Sequence, residues 1–212
     1  MPLDMTASDL AFPRAADDLV DRFGALPAAN VGDAMERMGA MDSRIRAVWP
    51  GAQLAGSAFT VWTRAGDNLH ILRALEQIRP GDVMVVNGQG DESRALLGDL
   101  IGADAKARGL AGFVLDGACR DAEGLQEIGM PVFARATSPA GPYKNGPGYV
   151  GLTIACGGVA VAPGDVVVGD GDGVVVVPLA DAGAVLEAAE AKRDSETAIR
   201  AAIEAGNPPP PP

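Results

Sequence analysis

The chain has few of the side chains that most often supply a nucleophile or a metal cage: of its 212 residues, two are cysteine and one is histidine. Cys119 and Cys156 cannot build a disulfide framework, and neither lies in a CxxC pair with zinc-like spacing, so a reducing compartment is expected. Any Ser/His or Cys/His pair would have to use His70, which lies among Leu69, Ile71 and Leu72 in a helical pattern and reads as structural. With no second imidazole to activate it, Cys119 reads as a small packing residue. Basic side chains are also scarce. Seventeen Lys and Arg against 28 Asp and Glu leave a formal charge of −11, which argues against a phosphate-backbone binder, and nucleic acid is not an expected partner. No apolar run is long enough to span a bilayer, and residues 1–14 lack the basic start and apolar stretch of a signal peptide. The expectation is a soluble, cytoplasmic protein with no membrane partner.

An apolar content of 48% over this length is enough for one well-buried core. One domain is expected over residues 1–206, followed by a disordered proline tail at 207–212. Helical spacing marks residues 15–23 and 31–38, with Asn30 placed to cap the second. Further helices are expected at 68–78, 99–108 and 179–205, with Gly109 ending the second of these in a left-handed cap. Short β-rich runs recur at 58–62, 82–87, 112–116, 132–134, 151–155, 159–162, 165–168 and 173–177. Helices separate the earlier strands and turns separate the later ones, so the fold class is α/β leading into a β-meander. Pro80-Gly81-Asp82 and Pro163-Gly164-Asp165 each precede a valine-rich strand, a short repeat of one turn-plus-strand unit.

Two motifs are decoys. Gly88-Gln-Gly90 after a strand imitates a dinucleotide-binding turn, but Ser93 replaces the third glycine and the better helix start comes later, at Asp99. Asp170-Gly-Asp-Gly173 resembles part of a calcium loop, but the remaining oxygen ligands are missing, so it reads as a tight turn.

Gly98-Asp-Leu-Ile101 is more informative. Asp99 is placed to cap a helix whose first amides, including those of Leu100, Ile101 and Gly102, can hold a carboxylate with the positive end of the helix dipole behind them. Taken alone, this is an ordinary helix start. The second segment, Asp116-Gly-Ala-Cys-Arg-Asp121, adds weight, because Arg120 and Asp121 follow a buried strand and emerge at its carboxyl end, where ligands of open α/β sheets bind. Neighbouring side chains on a turn pair poorly with each other, which leaves Arg120 for an external carboxylate and Asp121 for a cation. Magnesium needs no more than one protein carboxylate when water and substrate supply the rest.

These two segments, with Gly112-Phe-Val-Leu-Asp-Gly117, Gly157-Gly-Val159, Pro163-Gly-Asp165 and the stretch 170–178, resemble the 4-hydroxy-4-methyl-2-oxoglutarate / 4-carboxy-4-hydroxy-2-oxoadipate aldolases. That family also contains the regulators of ribonuclease E activity, and the resemblance runs from about residue 30 to 206. It implies a swivelling β/β/α sandwich assembled as a homotrimer or homohexamer with the site between subunits. The amides of residues 98–101 (Gly98, Asp99, Leu100, Ile101) and the side chain of Arg120 would hold the pyruvyl end of a small 2-oxo acid. Asp121 would bind magnesium or manganese, and Asp99 would hydrogen-bond the metal's waters. Glu196 matches a glutamate that the family supplies from a neighbouring subunit, although Ser195 stands where a basic residue usually precedes it. The aspartate after the arginine separates the aldolases from the ribonuclease regulators, which are expected to lack it.

The implied activity is a divalent-metal-dependent pyruvate aldolase, a lyase acting on 4-hydroxy-2-oxo di- or tricarboxylic acids, with oxaloacetate decarboxylation as a second activity through the same enolate. The alternative is a protein-binding regulator of a ribonuclease. No lysine stands where it suggests a Schiff base, and Arg64, Arg94 and Arg135 are the candidates for reading the distal carboxylates.

Overall fold

The computed structural model describes residues 11–207, so most of the proline tail lies outside the described residues. Two short helices, α1 (Asp17–Gly24) and α2 (Ala28–Ala34), lead into a two-residue strand, β1 (Arg46–Ala47). Strand and helix then alternate: β2 (Leu54–Thr63), α3 (Leu69–Ala74), β3 (Asp82–Ala95), α4 (Asp99–Ala107), β4 (Gly112–Cys119), α5 (Ala122–Glu127) and β5 (Val132–Thr137). Five short strands follow, β6 (Gly148–Val150), β7 (Ile154–Cys156), β8 (Val159–Val161), β9 (Val166–Asp170) and β10 (Gly173–Val177). The 23-residue helix α6 (Ala182–Glu204) follows them. The α/β class, the N-terminal helices and the long C-terminal helix are therefore as the sequence predicts.

The main sheet runs β1-β5-β4-β3-β2-β9-β10, with β6 paired to the far half of β2. Strands β2 to β5 are parallel, the arrangement that the intervening helices require. Such strands are covered on both faces, and all eight residues of β4 are buried. One apolar cluster, including Phe59, Met84, Phe113 and Leu125, fills the space between the sheet and α3, α4 and α5. A second, around Ile45, Val85, Phe133 and Cys156, lies under the β7–β8 hairpin. The third joins Phe23 and Val31 to Val185 and Leu186, seating α1, α2 and the first half of α6 on β9 and β10.

The two Pro-Gly-Asp turns have the same geometry. Asp82 and Asp165 each accept a bond from the amide three residues earlier, both at 2.8 Å, and Gly81 and Gly164 take φ of +84° and +92°. The turns start the two strands that flank β2.

Several boundaries differ from expectation. The second helix spans Ala28–Ala34 rather than 31–38, because Glu36 and Arg37 adopt positive φ and end it. Asn30 lies inside that helix and does not cap it. The amide of Ala28 is satisfied instead by Asp170 Oδ2 at 2.8 Å, a cap supplied from 142 residues away that local sequence cannot reveal. The run 151–155 contains the end of one turn and the start of β7, and β6 lies just before it. Strand β3 continues through Gly88 and Gly90 to Ala95, so the glycine decoy is an irregular strand with shifted register and not a phosphate-binding turn. Asp170 Oδ1 accepts the Asp172 amide at 2.9 Å within the β9–β10 hairpin, as expected of a tight turn.

Candidate active site

The helix start and the strand end converge. Strand β4 delivers Arg120 and Asp121 beside the first residues of α4, and the Arg120 amide donates to the Leu97 carbonyl at 3.0 Å, joining the two segments. Gly98 is the residue at the junction. A Cβ there would overlap Asp121 Oδ2 and lie 3.0 Å from Arg120 Cγ, so only glycine lets the two come this close. Gly124 plays the same part on α5, where a Cβ would sit 3.0 Å from the Asp99 Cβ.

Asp121 is unusual in its backbone. It has φ +56° and ψ +44°, a left-handed conformation that is uncommon for a residue other than glycine, and it occupies the N-cap position of α5. An aspartate there normally turns its carboxylate onto the helix amides, but no side-chain cap bond forms. Oδ2 instead faces Arg120 Nε at 3.2 Å, with the two side chains 43% and 39% exposed. The contact is single rather than bidentate, which leaves the terminal nitrogens of Arg120 for another acceptor.

At the helix start the geometry departs from the predicted cap. Gly98 is the N-cap residue and Asp99 the first helical residue. Asp99 Oδ1 accepts the Leu100 amide at 2.7 Å, and the Gly102 amide donates to the Gly98 carbonyl at 3.0 Å. Neither the Asp99 nor the Ile101 amide has a hydrogen-bond partner among the described residues, as is usual for the first turn of a helix, where such amides can receive an anion.

These groups line a cavity of about 160 Å³ together with Asn68, Pro142 and Lys144, three residues that the sequence reading missed. They arrive through long-range bonds. Asp67, fully buried, accepts the Leu69 amide with Oδ1 and the Asn145 and Gly146 amides with Oδ2. The Asn68 amide donates to the Tyr143 carbonyl at 3.0 Å, and the Tyr143 amide to Gly66 at 2.8 Å. Residues 66–69 and 143–146 thus form one braced unit beside α4. Lys144 has no ion-pair or hydrogen-bond partner among the described residues. Leu100, 80% exposed, stands at the mouth of the cavity.

The other candidates lie elsewhere. Glu196 is absent from the cavity lining, and its carboxylate accepts Asn30 Nδ2 at 2.8 Å and approaches Lys192 at 3.6 Å. Arg135 is nearly buried and paired with Asp116 and Asp42, so it is not available to a substrate. Arg64 and Arg94 both pack on the Tyr143 ring, and Arg94 also donates to the Gly141 carbonyl. His70 is buried on α3 and does not line the cavity.

Burial, reinforced by the nearby Asp121 carboxylate, pushes the Cys119 thiol up to about 12, and burial also raises Cys156. Neither thiol is therefore ionised at neutral pH. Native protein at pH 8 is expected to take up no thiol reagent within minutes and two equivalents once unfolded; rapid native labelling would show that these side chains are accessible.

Among the described residues no three His, Cys, Asp or Glu side chains cluster as a metal cage. The donor set at the cavity fits only a hard cation that draws most of its ligands from water and substrate. Asp121 is the half-exposed carboxylate there that is unused as a cap, although its Oδ2 already accepts Arg120 Nε, contrary to the expectation that these neighbouring side chains leave each other unpaired.

The RraA-like family, described as Aldolase/RraA, matches residues 28–176. A Halalkalibacterium halodurans protein named "Putative 4-hydroxy-4-methyl-2-oxoglutarate aldolase" is 38% identical over 190 residues, 90% of each chain. Among solved structures, an uncharacterized protein from Pseudomonas syringae pv. tomato superposes with a TM-score of 0.83 at 28% identity, covering 92% of this chain and 96% of its own. Streptomyces coelicolor RraAS2, described as an unusual member of the RNase ES inhibitor RraA family, gives 0.80 at 29% identity, covering 90% and 99%. On the family match and the curated relative, the chain belongs to the RraA-like, Aldolase/RraA, family.

Proposed function

We propose that the protein is a divalent-metal-dependent pyruvate aldolase that cleaves a 4-hydroxy-2-oxo acid bearing a further carboxylate. The observation that carries the reading is Asp121, held in a left-handed conformation with its carboxylate turned away from the helix it begins and toward Arg120 and Gly98. A magnesium or manganese ion held by Asp121 would polarise the 2-oxo group and favour the enolate that cleavage leaves. The Ile101 amide and Arg120 bind the pyruvyl carboxylate and oxo oxygens, and Arg120 stabilises the negative charge that develops on the oxo oxygen as the C3–C4 bond breaks. The 4-hydroxyl proton leaves to water ordered by Asp99. Lys144, unpaired beside the cavity, is the cation for the distal carboxylate, in place of Arg64, Arg94 or Arg135.

The natural assembly on this reading is a homotrimer or homohexamer. The second half of α6 supports it: Ile199 and Ile203 are exposed one turn apart, and a neighbouring copy that covered them would also lie close to Glu196. The likeness to RraAS2 favours a second reading, a protein-binding regulator of a ribonuclease, which predicts a stable complex with the nuclease and no need for a metal.

A coupled assay for pyruvate over a panel of 4-hydroxy-2-oxo diacids and oxaloacetate, with and without magnesium, tests the first reading. Metal-dependent pyruvate release is expected, and no release from any of them would refute it. Borohydride added with pyruvate is expected to trap no adduct on Lys144, and a trapped adduct would turn the chemistry toward a Schiff base. Gly98→Ala is expected to lower turnover about a hundredfold by displacing Asp121 and Arg120, in line with the cost of misplacing a reacting group by about 1 Å. An unchanged rate would mean that the close approach does not matter.

A further inference from the structure

Strand β3 loses step with β4 near its end. Asp91 pairs with Gly117 and Ala95 with Ala118, so Glu92, Ser93 and Arg94 pair with no residue of β4. A bulge of this kind turns side chains out of the ladder and toward new partners. Here the partner is one loop, residues 138–143. The Ser93 carbonyl accepts Ser138 Oγ at 2.9 Å, the Ala95 amide donates to the Ala140 carbonyl at 2.8 Å, and Arg94 Nη1 donates to the Gly141 carbonyl at 2.8 Å. The Arg94 guanidinium also lies over the Tyr143 ring, 4.2 Å from its centre. At its start the loop is tied to the residue before Arg120, because the Ser138 amide donates to the Cys119 carbonyl at 2.8 Å. It then passes Arg120 itself. A Cβ on Gly141 would stand 3.4 Å from Arg120 Nη1. Arg120 Nε meets Asp121 Oδ2 at 3.2 Å, so the guanidinium is bounded by Asp121 and by the Gly141 backbone. An arginine has many rotamers, and a single half-exposed contact restrains it weakly. Gly141 closes one side of its swing, and Arg94 holds Gly141.

We propose that Arg94 is a positioning residue for Arg120: by fixing Gly141 it sets the wall against which the Arg120 guanidinium rests. The inference rests on the aldolase reading above and extends it to a residue that acts through another. A charge aimed at a developing oxyanion is worth most when it is already in place, so a small drift of Arg120 is costly. Arginine suits the task at position 94. Its planar fork donates to the Gly141 carbonyl and stacks on the Tyr143 ring at once, whereas lysine offers a point charge on a flexible stem.

The test is a double-mutant cycle between Arg94→Met and Arg120→Ala, read as kcat/KM for 4-hydroxy-4-methyl-2-oxoglutarate with magnesium, with folding of each variant checked by its melting temperature. With Arg120 present, Arg94→Met is expected to lower kcat/KM about tenfold, less than the cost of a full 1 Å misplacement because Arg120 keeps its contact with Asp121. On the Arg120→Ala background the same change is expected to cost less than about twofold, since no guanidinium is left to place. Arg94→Lys keeps the charge and loses the fork, and it is expected to behave like Arg94→Met. Equal losses in both backgrounds would make Arg94 a general brace, and full rescue by lysine would make it a source of charge; either result overturns the proposal and leaves the aldolase reading in place. Gly141→Val reaches the same contact without altering Arg94, and it carries the test if the Arg94 variants do not fold. Gly141 is not left-handed, so its backbone accepts a side chain. Valine there would press on Arg120 Nη1 and is expected to lower kcat/KM by about tenfold or more, and a value within about twofold of wild type overturns the proposal. Wild-type protein that releases no pyruvate overturns both readings.

Discussion

Arg120→Ala and Asp121→Ala are each expected to lower pyruvate release by on the order of 10³, with melting temperatures within a few degrees of wild type. The size follows from removing one preorganised charge from a site where charge develops in the transition state. The small effect on stability follows from exposure. Both side chains are about two-fifths exposed, their mutual contact is a single bond at 3.2 Å, and exposed pairs of this kind contribute about 0–1 kcal/mol. Asp121→Ala also loses the left-handed aspartate, and alanine tolerates that backbone less well, so Asp121→Asn is the cleaner replacement for separating charge from conformation. The two residues are not expected to be additive. If they act on one substrate oxygen and one cation, the double variant should be little worse than either single one. Loss of fold accompanying loss of activity would mean that the pair holds the structure together instead.

Arg135→Met is the change with the largest expected effect on stability. The Arg135 guanidinium is 9% exposed, pairs with Asp116 through Nε, and reaches Asp42 at 3.1 Å through Nη1. Asp116 in turn accepts the Gly157 amide at 2.9 Å, so one ion pair ties β4 and β5 to the segment before β1 and to the β7–β8 hairpin. Without Arg135 the nearly buried Asp116 carboxylate has lost its cation and has only the Gly157 amide to satisfy it. Breaking such a pair from one side costs about 3–5 kcal/mol, which for a domain of this size corresponds to a melting temperature about 10 °C lower. Adding Asp116→Asn should recover a large part of the loss, because the stranded charge is gone. Thermal unfolding of the single and double variants checks this. An undiminished melting temperature with a raised KM would instead assign Arg135 to the substrate.

That outcome bears on what the chain reveals before it is folded. The α/β order and the long last helix were legible because buried strands leave continuous Val-rich runs and helices leave a different period. The emergence of Arg120 and Asp121 at the carboxyl end of a buried strand was legible as well. Their meeting with Gly98 was not, because it depends on a glycine contact between segments about 20 residues apart. Asn68 and Lys144 left no local signal. Buried Asp67 carries them to the cavity by bonding amides 78 and 79 residues away, and no pattern in either segment announces that bond. The same limit applies to Arg135, which could be read only as one arginine among several until its two carboxylate partners were placed around it. Charge near a site can thus be counted from sequence, but which charges are already taken is a property of the packing.

The most direct test of the account is a metal titration of the stripped protein. Pyruvate release from 4-hydroxy-4-methyl-2-oxoglutarate is followed after chelation and then as magnesium or manganese is added back to wild type and to Asp121→Asn. The account predicts no release after chelation, a saturable return in wild type and no return in the variant at the same concentrations. Full release after chelation, or an equal return in the two proteins, would contradict it.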